Sequence, residues 1–203
     1  MRAYAAASST TASYTAILNA ATAGLTDKPA RSTTENYRDL LSQIRVLDPV
    51  PAWTAALTPM PRLKVAPKHQ LVDPAIAARL LGLNAHGLLG GIPGAGESLG
   101  QLFESLATLC VRADAISVDA AVGHLRTRNG DHEVDLVVED PEARVVGIEV
   151  KLAREVEDRD VQHLCWLRDR IGERFAAGVV LTTGPYAYQR PDGIWVVPLA
   201  LFG

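Results

Sequence analysis

The stretch HEVDLVVEDPEARVVGIEVKLA, residues 132–153, decides the fold. Its two apolar runs predict a hairpin of β-strands. Asp135, Glu149 and Lys151 nevertheless lie inside these runs, where burying a charge is costly. The stretch therefore predicts a sheet that carries two carboxylates and an ammonium group for a functional reason.

The register of the two strands follows from their apolar side chains, which must share one face of the sheet. The pairing that achieves this sets residue 134 against 150, 136 against 148 and 138 against 146. It also places Asp135 opposite Glu149 and Glu133 opposite Lys151, with Cβ atoms about 4.5–5.5 Å apart. The two acids are therefore expected to meet across the ladder.

A second hairpin is predicted at Asn129-Gly130, because this pair is a strong signal for a two-residue turn. Such a turn pairs Arg126 with Glu133 and His124 with Asp135. One face of the sheet then carries six polar side chains, namely His124, Arg126, Glu133, Asp135, Glu149 and Lys151.

Two facing carboxylates repel each other, so one takes up a proton unless a cation lies between them. Mg²⁺ suits this position, because it binds one or two carboxylates together with water and phosphate oxygens. The alternative is a solvated sheet face held by salt bridges, which is common. Lys151 and Arg126 can neutralise Glu133, but Asp135 still faces Glu149, and this favours the metal site.

Periodic apolar residues predict the elements around these strands. One helix spans 98–112, with a capping box of Ser98 and Gln101 and with Glu104 at the edge of its apolar stripe. Another helix spans 158–171 and ends at Gly172. Strands are predicted at 120–128, 132–139, 144–152, 177–183 and 194–199. The order αβββαβ, with a final strand, indicates a mixed α/β (α+β) fold.

The N-terminal part is predicted to be helical. Apolar residues recur at helical spacing over residues 14–21 and again over residues 37–47, and a short helix is expected over 75–83. The first two helices suggest a helix-turn-helix or a small winged-helix unit. Only Arg38 and Arg45 are basic on the second helix, which favours a plain helical hairpin.

Composition limits the classes of function. The chain has 203 residues and a net charge of -3; residues 1–74 carry a balance of +3 and residues 75–203 a balance of -6. The acidic part thus lacks the basic surface of a strong nucleic-acid binder. Cys110 and Cys165 form no disulfide framework, and no apolar run is long enough for a membrane, so a cytoplasmic protein is expected.

Several other features favour plain structural roles. The glycine-rich stretch at 87–98 is not a phosphate-binding loop, because Glu97 stands where such a loop needs lysine. His69, His86 and His163 have no metal-ligand partner at a useful spacing along the chain. His132-Glu133 lies on a predicted strand and lacks the second histidine of a zinc-protease helix. Trp166 is expected on the border face of its helix.

The charged residues also carry a resemblance. Asp135, then Glu149-Val150-Lys151 on the next strand, after a helix with Glu104, resembles the PD-(D/E)XK nuclease superfamily, whose core has the order αβββαβ. Four longer stretches resemble a domain of unknown function that follows an AAA-type ATPase module in a large prokaryotic ATPase family. These are RLKVAPKHQLVDPAIAARL (62–80), GQLFESLA (100–107), HLRTRNGDHEVDLVVE (124–139) and VVGIEVKLA (145–153).

The resemblance implies two domains. Residues 1–60 are expected to form a helical, winged-helix-like segment, and residues 61–203 a PD-(D/E)XK nuclease-like domain. The chain departs from that ATPase family in having no Walker A or Walker B sequence. Because Met1 is followed directly by a helix-like segment, we expect a fragment of a longer protein whose ATPase module is missing here.

For the site, the resemblance implies Mg²⁺-dependent or Mn²⁺-dependent hydrolysis of nucleic acid. Asp135, Glu149 and the Val150 carbonyl would hold the metal, and Glu104 would contribute through water. Lys151 would orient the attacking water and stabilise the developing charge. The supporting residues are His124, Arg126, Glu133 and Gln162.

Two alternatives stay open at this point. The nuclease-like fold could be a catalytically silent module that binds DNA or a protein partner and serves an ATPase located elsewhere in the full-length protein. A second alternative is a DNA-binding adaptor that uses the helices of residues 1–47.

Overall fold

The computed structural model describes residues 1–54, 66–91 and 93–202, and the domain boundary predicted between residues 60 and 61 lies outside them. The chain divides into two compact units. Of the described residues, the first unit holds 1–50 and 66–106, and the second holds 51–54 and 107–202.

Helices build the first unit. They are α1 (Arg2–Ala5), α2 (Tyr14–Ala21), α3 (Arg31–Gln43), α4 (Pro74–Leu81), α5 (Ala85–Leu89) and α6 (Ala95–Ser117), the last of which continues into the second unit. The predicted helices near 14–21, 37–47 and 75–83 are therefore present as α2, α3 and α4. The winged-helix assignment stays a prediction.

The core of the first unit is apolar at its centre and polar at one edge. Its buried apolar residues are Tyr4, Ala5, Leu47, Leu71 and Ala77. Two extended stretches run antiparallel through it, joined by bridges from Leu47 to Leu71 and from Val50 to Lys68. Three consecutive polar residues, Lys68, His69 and Gln70, are also buried. Because such groups need partners when buried, this edge is a polar network.

The second unit is a six-stranded sheet. Its strands are β1 (Ala121–Arg126), β2 (Glu133–Glu139), β3 (Val145–Val150), β4 (Phe175–Thr182), β5 (Tyr188–Gln189) and β6 (Trp195–Pro198), with α7 (Asp158–Ile171) between β3 and β4. The spatial order is β1-β2-β3-β4-β6-β5. The pairs β3–β4 and β4–β6 are parallel, and the other pairs are antiparallel.

This arrangement confirms the mixed α/β class and the order of helix, three strands, helix and strand. The short strand β5 was not expected, because the stretch from Pro185 to Gly193 carries no strand pattern. Helix α6 begins at Ala95, and the Ser98 N–H donates to the Gly94 carbonyl inside the first turn. The predicted capping box of Ser98 and Gln101 is therefore wrong.

Helix α7 packs closely on β3, because a glycine leaves room for it. A Cβ atom on Gly147 would lie 3.0 Å from a methyl carbon of Leu164 and 3.2 Å from one of Leu167. Leu164, Leu167, Val161 and Ile171 of the helix join the buried core of this unit. Side chains alternate along a strand, so Gly147 is on the same face as Glu149.

The register of the central strands is as predicted from the apolar pattern. Leu136 pairs with Ile148, and Val138 pairs with Val146. On the other side of β2, Arg126 pairs with Glu133, as the Asn129-Gly130 turn predicted. The site's position therefore follows from the alternation of a few apolar residues.

The ladder between β1 and β2 is interrupted at His124. Leu125 pairs with Val134 but Gly123 pairs with Val137, so the register shifts between them. The simple pairing of His124 with Asp135 is thus replaced by a bulge, in which residues 135 and 136 both stand opposite His124. The His124 main chain instead bonds residues 51–53: its N–H donates to the Pro51 carbonyl (2.9 Å) and its carbonyl accepts from the Trp53 N–H (2.7 Å).

Over the described part of the chain, no helix combines the length and the apolar character needed to cross a membrane.

Candidate functional site

A hydrogen bond joins Asp135, near the start of β2, to Val150, the last residue of β3. The Val150 N–H donates to Asp135 Oδ2 at 3.0 Å. The register of the Leu136–Ile148 pair, continued by one residue, brings position 135 opposite Glu149. The Asp135 carboxylate therefore accepts a main-chain bond from the neighbouring strand, one residue beyond the predicted meeting point.

Lys151 pairs with Glu149 at this same end. The Lys151 Nζ atom lies 3.2 Å from Glu149 Oε2, and the side chains are 33% and 5% exposed, respectively. The carboxylate is thus buried, whereas the ammonium group keeps access to solvent. The cation beside the two acids is Lys151, which the sequence had paired with Glu133 instead.

The charges around Lys151 act on its titration. Burial disfavours the ammonium form, but the nearby carboxylates of Glu149, Asp135 and Asp160, together with the hydrogen bond to Glu149, outweigh burial. The pKa of Lys151 is therefore raised above its usual value. Lys151 is consequently a cation at neutral pH.

Arg126 and Glu133 form a second ion pair on the neighbouring strands. Arg126 Nη1 lies 3.4 Å from Glu133 Oε2, and both side chains are about one-third exposed. Arg126 therefore neutralises Glu133, as predicted, and Lys151 forms its ion pair with the buried Glu149. His124 is fully buried within this unit.

Two histidines and a tryptophan assemble next to these charges. His132 Nδ1 lies 3.4 Å from His163 Nδ1, and the His132 ring stacks on Trp166 with centroids 4.0 Å apart. Burial, His132 and Lys151 together lower the pKa of His163, although Glu133 and Asp135 act in the opposite direction. Sequence reasoning missed this cluster, because its members come from a turn and a helix 31 residues apart. The one available signal was the i, i+3 spacing of His163 and Trp166.

Glu104 and Gln162 have different surroundings from the charged residues above. Glu104 belongs to the first unit, where its Oε1 accepts a hydrogen bond from Lys68 Nζ at 2.8 Å. The Lys68 side chain is almost fully buried, at 2% exposed. Gln162 lies on the exposed side of α7. The roles predicted for these two residues stay predictions.

In residues 1–54, 66–91 and 93–202, no group of three or more His, Cys, Asp or Glu side chains is arranged to hold a metal ion. The two acids that the register sets opposite each other are Asp135 and Glu149. A third oxygen ligand there would come from a main-chain carbonyl, as the sequence predicts for Val150.

The fold and this cluster define a mixed α/β domain with a buried charged site at one end of its sheet. The model of a domain of unknown function, DUF4143, matches residues 99–202, just over half of the chain. The chain therefore belongs to the DUF4143 family. A second domain of unknown function, DUF8612, matches residues 1–87.

Three chains of solved structures match this one. One is in a structure described as a refined half-complex from the tetradecameric assembly of Thermococcus gammatolerans McrB AAA+ hexamers with bound McrC. The two chains are 11% identical with a TM-score of 0.36, and the match covers 88% of this chain and 64% of that chain. This chain thus spans less than two thirds of the length of that chain. A search of curated proteins gave no match.

Proposed function

We propose that this protein hydrolyses phosphodiester bonds of nucleic acid with a divalent metal, as a nuclease of the PD-(D/E)XK type. One observation carries the proposal: the Asp135–Val150 bond (3.0 Å) and the Lys151–Glu149 pair (3.2 Å) gather two acids and an amine at one sheet end. Metal-dependent hydrolysis of a phosphodiester needs acids to bind the cation and a positive group near the attacked phosphorus.

The donor set suits Mg²⁺ or Mn²⁺. Asp135 and Glu149 supply carboxylate oxygens, and Val150 supplies a main-chain carbonyl that is expected on the side of its N–H, which bonds Asp135. Hard divalent cations prefer such oxygen ligands. When bound, such a cation polarises a phosphoryl oxygen and lowers the pKa of a water ligand.

Lys151 would orient the attacking water and stabilise the negative charge that develops on the phosphoryl oxygens. Its raised pKa supports this role, because the side chain carries a full positive charge at neutral pH. Its partial exposure supports it too, since the ammonium group can turn from Glu149 toward a substrate without leaving the site.

The remaining residues would support the site. The Arg126–Glu133 pair would fix the neighbouring strand ends, and His124 stands opposite the bulge that holds Asp135. Gln162 on the exposed side of α7 is available to substrate.

The test is a calorimetric titration with Mg²⁺ and with Mn²⁺. Wild type and Glu139→Gln, a control acid at the other end of β2, are expected to bind one ion, and Asp135→Ala is expected to lose it. The same samples are then mixed with single-stranded DNA, double-stranded DNA and RNA. Wild type that binds no metal and cuts none of these substrates would refute the proposal.

A catalytically silent module is the second candidate. Glu149 is only 4% exposed and already has Lys151 as its counter-ion, which favours a structural pair. The domain would then bind DNA or a protein partner without metal. This candidate predicts no binding of millimolar Mg²⁺ and full tolerance of Asp135→Asn in a DNA-binding assay; cleavage that depends on Asp135 would exclude it.

We propose further that the domain serves an AAA-type ATPase module located elsewhere in the full-length protein. The support is the resemblance of four stretches of this sequence to the domain that follows such a module. ATP hydrolysis by the full-length protein should change when nucleic acid is added. An unchanged rate for every nucleic acid that the protein binds would argue against this coupling.

A further inference from the structure

Two histidines face each other on the second unit, outside the donor set of the proposed nuclease. His132 follows the Asn129-Gly130 turn, and His163 is on α7. Their Nδ1 atoms are 3.4 Å apart, and their rings are nearly perpendicular, at 85°. The pair thus brings two imidazole nitrogen donors close together.

This separation fits two ligands of one metal ion. Without a metal, one proton can bridge the two Nδ1 atoms at this distance, and a metal ion can take its place. Zinc binds histidine nitrogen at about 2.0–2.1 Å in a tetrahedral arrangement, which sets two nitrogen ligands about 3.3–3.4 Å apart. The two imidazoles therefore already have the spacing of a chelating pair.

The surroundings hold this geometry and leave room for solvent. The His132 ring stacks on Trp166 with an interplanar angle of 10°, which restricts rotation of the ring away from His163. Both histidines are half-buried, so water can reach the gap between them. Glu133 and Asp135 are near enough to act on His163 electrostatically and favour a cation, whereas Lys151 opposes one.

We propose that His132 and His163 chelate one transition-metal cation of the Zn²⁺ class, with water at the remaining positions. Imidazole nitrogen suits Zn²⁺, Ni²⁺ and Cu²⁺, whereas Mg²⁺ prefers oxygen ligands. In the described part of the chain no third acid, histidine or cysteine completes a protein-only set. The site is thus open to solvent, and its two ligands are not among those of the proposed nuclease site.

The experiment is a Zn²⁺ titration of the untagged chain by calorimetry in the presence of millimolar Mg²⁺. Wild type is expected to bind one Zn²⁺. His132→Gln and His163→Gln should each bind at least tenfold more weakly, because even outer-shell changes cost metal sites about 10–100-fold. His86→Gln, on the exposed helix α5, is the matched control and should bind as wild type does.

Two further measurements keep the outcome decisive. In wild type, Zn²⁺ should shift the imidazole proton resonances of His132 and His163 and leave those of His86 in place, so the result stands even if a variant folds poorly. Asp135→Asn should retain Zn²⁺ binding even if it loses Mg²⁺ binding. Absence of saturable Zn²⁺ binding, its survival in both histidine variants, or its loss in Asp135→Asn would overturn the proposal.

Discussion

Two of the three acids on strand β2, Asp135 and Glu139, are bound in different ways. Glu139 receives a donor on each oxygen: the Trp53 indole N–H on Oε2 (2.6 Å) and the Arg174 guanidinium on Oε1 (2.6 Å). Asp135, four residues earlier, accepts the main-chain N–H of Val150 on the neighbouring strand.

The difference separates an acid that holds the fold from one suited to chemistry. Trp53 and Arg174 are distant in sequence from Glu139, so this carboxylate joins three parts of the second unit. Asp135 instead lies beside a buried carboxylate and the partly exposed ammonium of Lys151. A metal cation can displace the partly exposed Lys151 ammonium group more easily than it can displace the two donors that hold Glu139.

The largest expected effect is on cleavage. Asp135→Asn should lower the rate of Mg²⁺-dependent cleavage by about 100-fold or more, since one group aimed at the transition state is typically worth that much. Glu139→Gln should leave the rate within a few-fold of wild type. Single-turnover cleavage of a labelled DNA under saturating enzyme measures both. Equal losses of cleavage rate in the two variants would show that Asp135 has no special role in catalysis.

The next effect is on stability, where a change at Glu139 should cost more than a change at Asp135. Glu139→Ala removes the acceptor of two donors, one of them the Arg174 side chain at 18% exposure. We expect the free energy of unfolding to fall by about 1–3 kcal/mol, because the Trp53 indole and the Arg174 guanidinium each lose a hydrogen-bond acceptor, although Arg174 keeps its bond to the Ala143 carbonyl. Asp135→Ala should cost less. Urea unfolding followed by circular dichroism tests this order, and a larger loss for Asp135→Ala would contradict it.

Gly147→Ala tests how closely α7 must approach the site. The added methyl group would meet Leu164 and Leu167 at 3.0 and 3.2 Å. We expect a loss of about 1–2 kcal/mol from overpacking. The helix should also shift relative to β3, so that the resonances of His163 move. Gly100→Ala, with no atom within 4 Å of the new Cβ, is the control. Wild-type stability in Gly147→Ala would show that α7 adjusts freely.

The smallest effect concerns alkaline pH. The folded-state pKa of Lys151 is raised above the usual 10.5, so its ion pair stabilises the fold below that pH and loses this contribution as the pH rises through the raised pKa. The contribution is expected to be less than about 1 kcal/mol, because the side chain is one-third exposed. The difference in urea midpoint between wild type and Lys151→Met should therefore shrink from about pH 8 to about pH 11. A difference in urea midpoint that does not change with pH would show that Lys151 stabilises the fold by packing and not by its charge.

Local pattern was sufficient to predict the helices, the longer strands and the central register of the second unit, but not the short strand β5. Alternating apolar residues fixed the pairing of Leu136 with Ile148, and the Asn129-Gly130 turn fixed that of Arg126 with Glu133. Both inferences work because a shift of one residue would turn every apolar side chain out of the core. The order of helices and strands followed from the same periodicity.

Contacts between distant residues could not be predicted in this way. The bulge at His124 depends on main-chain bonds to residues 51–53, which no strand pattern signals. Lys68 lies 36 residues from Glu104, and Trp53 lies 86 residues from Glu139. Such partners are chosen by tertiary packing, which periodicity within one element does not contain.

The main-chain hydrogen bonds from His124 to Pro51 and Trp53 determine where a truncated form of this domain can begin. They cover the outer main-chain groups of β1, which would otherwise offer a template for pairing with another molecule. At the opposite border of the sheet, β5 is only two residues long. A fragment cut to the family match at residue 99 would uncover β1 and remove the Trp53 donor of Glu139. We expect such a fragment to aggregate, whereas one that begins before Pro51 should stay dispersed.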